Sequence, residues 1–275
     1  AEAVEFDRVG CLSAAVDLGR PLKELRTLGT GGLLPVEKNP GSYAWLAIAD
    51  PASRAGVVGG WITSDRGSGV VFSPVEGSGA RIEARIDYGR LRVRPGTTAA
   101  TETFALGWFD DARLGLEQYA DAIAKVYAIK LPPQPAGYCT WYAEKHGGAC
   151  GEKPLAELAA FAAEKLAPFG FEFVQIDDGW QAGVSKNGPN RDFTRHRPNG
   201  PFPGGMKAAA DRIAALGLKP GIWFMPFAGT SYDPLFENHL DWFAKDKEGK
   251  PFETQWGGTC LDMTQPGPQE HLRQL

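Results

Sequence analysis

Two adjacent carboxylates carry the clearest chemical signal in the sequence. Ile176-Asp177-Asp178-Gly179-Trp180-Gln181 follows the apolar segment Phe171–Ile176, which reads as a parallel strand, so Asp177 and Asp178 fall where strand gives way to loop. In α/β barrels the C-terminal strand ends form the active face. Neighbouring residues of an extended strand point to opposite sides, but at the transition both can turn to one pocket and accept hydrogen bonds from hydroxyls. Vicinal hydroxyls of a sugar suit that pair. The competing reading is that either Asp anchors the loop through backbone amides, as Asp does in turns. Tyr138-Cys139-Thr140-Trp141-Tyr142 ends an earlier strand and puts aromatics on the same rim, with Trp180 beside the aspartates and Trp223 on a third strand. Taken alone this cluster is better explained as core packing; next to two carboxylates, Trp141, Trp180 and Trp223 form a platform for the C–H face of a sugar ring.

Other chemistries lack local support. Gly29-Thr30-Gly31-Gly32 has neither phosphate-cradle spacing and reads as a turn. His146, His196, His239 and His271 show no metal-binding spacing and read as surface or loop residues, so no metal and no cofactor are expected. There is no G-x-S-x-G elbow. Asp262, in Cys260-Leu261-Asp262-Met263-Thr264, reads as a turn or cap residue. Cys11, Cys139, Cys150 and Cys260 are too far apart for a zinc site or disulfide framework.

The elements that must position these residues change character along the chain. Residues 1–110 read as short strands between turns. Arg81–Tyr88 alternates polar and apolar with period two, and segments near Tyr43–Ile48, Val57–Thr63 and Val70–Phe72 complete an antiparallel sandwich. Residues 111–135 read as a linker. It starts as a connecting helix with Leu116, Ala120, Ile123, Ala124 and Tyr127 on one stripe, and Leu131-Pro132-Pro133-Gln134-Pro135 then forbids further helix. Residues 136–275 alternate strand and helix: Gly137–Tyr142, Pro154–Leu166, Phe171–Ile176, Gly205–Leu216, and Leu218–Phe227, the last apolar on both faces as a covered strand should be. Leu261–Thr264 reads as a short strand and Pro268–Leu275 as the start of a helix. The expected fold is therefore multidomain α and β, an antiparallel sandwich followed by the first part of a (β/α)8 barrel.

Composition narrows the function classes. The 275 residues are 43% hydrophobic and 23% charged, which fits a folded globular chain. A net charge of -4 without a basic block argues against a nucleic-acid partner. No apolar run reaches the length of a membrane span. Ala1-Glu2-Ala3 does not resemble a signal peptide, although a processed secreted or periplasmic chain would start in the same way as a cytoplasmic one.

With these segments in order, the sequence resembles the family 36 glycoside hydrolases of the alpha-galactosidase clan, including the raffinose-synthase-like proteins. Cys139-Thr140-Trp141 is similar to the first barrel-strand motif and Ile176-Asp177-Asp178-Gly179-Trp180-Gln181 to the second. Phe202-Pro203-Gly204-Gly205-Met206 through Gly217–Trp223 is similar to the helix and third strand, His239-Leu240-Asp241-Trp242 to the HPDW segment with Leu for Pro, and Leu261–Pro266 to LDLT-x-P. The resemblance implies a retaining double displacement on terminal alpha-galactosyl residues of oligosaccharides or glycoconjugates, by two carboxylates about 5–5.5 Å apart. It implies that Asp177 and Asp178 hold O4 and O6 of the galactosyl unit, and that Trp141, Trp223 and, less securely, Trp180 line that subsite. The family's nucleophile and acid/base end its fourth and sixth strands, so both are expected after Leu275 and Asp262 is not the nucleophile. Tyr142-Ala143-Glu144 departs from the family pattern and leaves finer specificity open. Raffinose-type transglycosylation, alpha-N-acetylgalactosaminidase activity and non-catalytic sugar binding are the alternatives. A homo-oligomer through the N-terminal domain is compatible with the family. Only about 140 residues follow the proline-rich stretch, whereas a whole barrel takes about 250. The expectation is a chain ending inside its barrel, inactive alone.

Overall fold

The computed structural model describes residues 2–143, 147–254 and 258–275. Glu144 and His146 lie outside them. The chain divides into two compact units, Ala1–Pro132 and Pro133–Leu275.

In the first unit β1 (Val4–Val16), β2 (Arg26–Gly29), β3 (Gly32–Pro35), β4 (Ser42–Tyr43), β5 (Trp45–Ala49), β6 (Gly56–Trp61), β7 (Ser68–Phe72), β8 (Val75–Glu76), β9 (Gly79–Val93) and β10 (Phe104–Phe109) form two antiparallel five-stranded sheets. One runs β1-β9-β7-β4 with β8 on β9, the other β10-β6-β5-β2-β3. The period of two in β9 sends Ala80, Ile82, Ala84 and Ile86 inward, against Leu46 and Ile48 of β5, Trp61 of β6 and Val71 of β7. Gly69 is glycine because a Cβ there would lie 2.2 Å from the Trp61 ring. The Gly29–Gly32 segment is, as read, a turn: Thr30 and Gly31 join β2 to β3.

The helix α1 (Ala112–Tyr127) starts at Asp111, whose carboxylate accepts the Arg113 N–H at 3.0 Å, and ends at Ala128 in a left-handed conformation. It is more than a connector. Ala112, Leu116 and Tyr119 cover the outer face of the second sheet at Ala47 and Val58, and the Tyr119 hydroxyl donates to the Trp61 carbonyl at 2.7 Å. The packed stripe therefore runs through residues 112, 115, 116 and 119, while Ala120 and Tyr127 of the expected stripe are exposed.

In the second unit β11 (Ala136–Cys139), β12 (Phe171–Ile176) and, further along, β15 (Lys219–Ile222) form a parallel sheet in the order β11-β12-β15. The short antiparallel pairs β13 (Gln181–Ala182) with β14 (Asp192–His196), and β16 (Ala228–Gly229) with β17 (Thr259–Cys260), lie in the loops that follow. Two helices supply the crossovers. α2 (Glu152–Phe161) runs on into a wider turn, Ala162–Leu166, and α3 is Gly205–Ala215. Leu155, Ala159 and Ala162 meet Val174, Ile176, Ala209 and Ile213 in a dry core. α4 (Pro266–Gln274) closes the described chain. The coarse architecture is thus mixed α and β, antiparallel first and parallel second. No described helix is long and apolar enough to cross a membrane.

Three expectations need correction. The third strand stops at Ile222 instead of Phe227. β15 is the last of the three described parallel strands, and Ile222 and Phe224 are each 43% exposed among the described residues. Residues 261–264 are not a strand. Asp262 accepts the Thr264 N–H at 3.0 Å and its hydroxyl at 2.6 Å, forming the turn that leads into α4. His271 is no surface residue, being buried against Phe236 and Trp242, and His239 stacks on Trp242 with ring centroids 4.0 Å apart.

Candidate functional site

Strand alternation decides what the parallel sheet presents. Val174 and Ile176 point into the helix-covered core, so Phe173, Gln175 and Asp177 point the other way. Register adds neighbours on that second face: Gly137 pairs with Phe173, and Cys139 pairs with Gln175, which pairs in turn with Gly221. The two glycines make room. A Cβ on Gly137 would lie 2.3 Å from the Phe173 ring, and one on Gly221 would press on the Gln175 side chain at 3.2 Å. The result is a row, Cys139, Gln175 and Asp177, on the sheet face opposite α2 and α3.

Asp177 is 8% exposed and well supplied with donors. Its Oδ1 accepts the Asp178 N–H at 2.8 Å, and its Oδ2 accepts the Cys139 thiol at 2.9 Å and the Gln175 amide at 3.3 Å. Its own N–H donates to the Thr140 hydroxyl at 2.9 Å, and that hydroxyl donates to the Gly148 carbonyl. The site's β11 end is thus tied to its β12 end through Thr140, the residue before Trp141. Burial and the Asp177 carboxylate together push the Cys139 thiol above its ordinary pKa.

Asp178 is half-buried and held differently. Its Oδ1 accepts the Gln181 amide at 2.7 Å; the same Gln181 amide donates to the Asn190 carbonyl at 3.0 Å, and the Gln181 side-chain carbonyl accepts the Gly179 N–H at 3.0 Å. Gly179 sits at a φ of 108°, a conformation that suits glycine, and this turn sends the chain back on itself. Fully buried Arg191 adds a positive field. Burial pushes its guanidinium below the ordinary value, while Asp178 and Tyr232 oppose that shift.

The three tryptophans have unlike surroundings. Trp141 is 52% exposed in a single helical turn, Thr140–Tyr142, directly after β11. Trp223 is half-buried and bonds the end of β12 through its N–H and the Ile176 carbonyl at 2.8 Å. Trp180 is 5% exposed, packed on Phe193 in the core, with its indole N–H donating to the Trp223 carbonyl at 2.8 Å. It braces the two strand ends from below and offers no open ring face. Sequence reasoning passed over Cys139, Gln175, Gln181 and Arg191. The signal for the first two is the register of β11 on β12, which places Cys139 beside Gln175, two residues before Asp177. Among the described residues no cluster of three or more His, Cys, Asp or Glu is placed to hold a metal.

Residues 152–274 match the melibiase family model. Over that stretch, a little under half of the chain, the sequence is similar to alpha-galactosidases. It is 38% identical over 73 residues to alpha-galactosidase A of Cellvibrio japonicus, a match covering 26% of this chain and 17% of that protein. To the A type blood alpha-D-galactosamine galactosaminidase of Flavonifractor plautii it is 23% identical over 222 residues, 78% of this chain and 20% of that one. The chain therefore spans about a fifth or less of the length of these curated relatives. In fold it is similar to the alpha-galactosidase of Thermus thermophilus solved with stachyose, with a TM-score of 0.61 at 21% identity over 96% of this chain and 57% of that one. A family 36 alpha-galactosidase of Geobacillus stearothermophilus solved with 1-deoxygalactonojirimycin gives a TM-score of 0.55 at 18% identity, over 98% of this chain and 39% of the other.

Proposed function

We propose that this protein is a glycoside hydrolase acting on terminal alpha-galactosyl residues, and that residues 133–275 are the opening βα units of its (β/α)8 barrel. The observation that carries the reading is the aspartate pair at the C-terminal end of β12: the Asp177 carboxylate, held by the Asp178 N–H, the Cys139 thiol and the Gln175 amide, and the Asp178 carboxylate beside it, held by the Gln181 amide. Charge-assisted bonds from sugar hydroxyls to such preorganised carboxylates are the strong kind, and two adjacent acceptors select a diol geometry. In this reading Asp177 and Asp178 take O4 and O6 of the galactosyl unit, exposed Trp141 stacks on the ring's C–H face, and Trp223 closes the side of the subsite. Trp180 acts from beneath as a brace. Stachyose and p-nitrophenyl alpha-galactoside, bound by the Thermus enzyme, set the class of ligand to be expected.

The chemistry at the anomeric carbon is the retaining double displacement, in which one carboxylate attacks and another protonates the leaving oxygen and then activates water. Neither role is assigned to a residue between 1 and 275. What these residues do is bind and orient: two fixed carboxylates hold the sugar so that its anomeric carbon is presented to the reacting groups. An amino sugar is the second substrate class to be compared, because the Flavonifractor relative is named for one.

The test is hydrolysis of p-nitrophenyl alpha-galactoside beside its alpha-N-acetylgalactosaminide and alpha-glucoside counterparts by the whole protein that carries the rest of the barrel, with calorimetric binding of the methyl glycosides. The expected result is galactoside binding and cleavage, with the glucoside, the O4 epimer, rejected. Equal binding of galactoside and glucoside, or of neither, overturns the reading.

A further inference from the structure

We infer that Cys139, together with Gln175, is a positioning residue that fixes the carboxylate of Asp177 and reserves its Oδ1 for the ligand. The inference rests on the galactoside reading only for the identity of that ligand. Its basis is a triangle on the face of the parallel sheet opposite α2 and α3. The Cys139 thiol donates to Asp177 Oδ2 at 2.9 Å, the Gln175 amide donates to the same oxygen at 3.3 Å, and that amide also lies 3.6 Å from the Cys139 sulfur as its acceptor. Two donors fill the two lone-pair directions of Oδ2. Oδ1 holds one described donor, the Asp178 N–H at 2.8 Å, so among the described residues it retains one direction for an incoming hydroxyl.

The arrangement is built into the backbone rather than added by a mobile side chain. Cys139 and Gln175 are register partners on neighbouring parallel strands, and Gln175 and Asp177 are two apart on one strand, so all three share a face. Gly221, the register partner of Gln175 on its other side, carries no side chain that would push the amide away. A thiol is ordinarily a weak donor, but a carboxylate acceptor strengthens the bond. Consistent with a retained proton, burial and Asp177 both push the Cys139 thiol above its usual pKa. A thiolate would instead set a negative sulfur against the carboxylate and undo the arrangement.

The pairing is tested apart from sugar chemistry by thiol titration. In protein with every cysteine but Cys139 replaced by serine, Cys11, Cys150 and Cys260 among them, the pH dependence of iodoacetamide alkylation reports Cys139. Adding Asp177→Asn is expected to move the alkylation profile of Cys139 to lower pH, because a charged acceptor is lost while burial stays. An unchanged pKa overturns the inference. In the whole protein that carries the rest of the barrel, otherwise unaltered, Cys139→Ser keeps a donor and is expected to hold kcat/KM on p-nitrophenyl alpha-galactoside within about 3-fold, whereas Cys139→Ala lowers it by about 10-fold, mainly through KM. Equal effects of Ser and Ala overturn the positioning role. Should Cys139→Ala fail to fold, the titration still decides, since it leaves Cys139 in place. If the thiol responds to Asp177→Asn but the parent protein has no affinity for galactosides, the pairing stands and the functional reading falls.

Discussion

The two units of this chain solve the burial of a sheet in opposite ways. In the first, the β10-β6-β5-β2-β3 sheet is covered on both faces, by the other sheet at Ile48 and Trp61 and by α1 at Ala47 and Val58. In the second, β12 packs one face on α2 and α3, and Gln175 and Asp177 lie on the other, toward its C-terminal end. The first arrangement commits both faces to packing; in the second the polar row lies at the strand ends, where a closed barrel carries its site. A substitution in the first unit should therefore register as lost stability, and one at the strand ends of the second as lost ligand affinity.

The largest separation is expected from Ile82→Ala. Ile82 is fully buried between the two sheets, and its truncation should lower unfolding free energy by about 2–5 kcal/mol in urea titrations. Galactoside affinity of the remaining folded protein should not change. Stability loss below about 1 kcal/mol would mean that the sandwich core is far looser than its packing indicates. Next comes Asp178→Asn, where function should suffer more than stability: in the whole protein kcat/KM for an aryl alpha-galactoside should fall by a factor equivalent to about 1.5–3 kcal/mol, with a smaller drop in melting temperature because Asp178 also offsets the buried Arg191 guanidinium. Unchanged kcat/KM would remove Asp178 from the site.

Acid should divide the units more gently. Burial against Phe236 and Trp242 holds the His271 imidazole below its ordinary pKa of 6.5, with neighbouring His239 adding to the shift and Asp192 opposing it. The unfolded chain then binds more protons in this window, so His271 contributes stability in full above pH 6.5 and loses it as pH falls toward the depressed folded value. His271→Phe should flatten that part of the stability profile, and a profile identical to the parent's would refute the assignment. The smallest effect belongs to the first unit. The Arg113 guanidinium, with further help from the Arg113 N–H and Arg54, holds Asp111 down to about 2. The stabilisation of α1 by that carboxylate is present above its unfolded pKa and lost as pH drops from about 4 to about 2. Arg113→Ala should move the loss to higher pH, followed by the NMR titration of the Asp111 carboxyl carbon.

How far the sequence foretold these units follows from what each kind of pattern encodes. The alternation in β9 is a local property with a period, and it located the buried residues of that strand directly. Asp177 and Asp178 were legible because an apolar strand ends immediately before them. The length of β15 was not, since the apolar run continues past Ile222 without marking where the hydrogen-bonded strand ends. Trp180 was drawn toward the platform by its nearness to the aspartates. The turn at Gly179 instead sends it into the core, and a backbone reversal of that kind is invisible to residue type. His271 was read as a surface residue because its burial depends on Phe236 and Trp242, which are distant in sequence. Cys139 and Gln175 were missed for a related reason. Their meeting depends on strand register, which a single sequence does not state.

The alternation of β12 also bears on how such a protein could change over generations. A substitution at Gln175 or Asp177 alters one side chain, but inserting or deleting one residue within Phe171–Ile176 would exchange the two faces, driving carboxylate and amide into the α2–α3 core and the aliphatic residues out. Length variation is therefore forbidden inside the strand and must accumulate past Gly179, where residues 183–188 form an irregular, largely exposed loop before β14. Variation in length on this scaffold would collect in that loop, beside an aspartate pair whose place in the strand cannot slip.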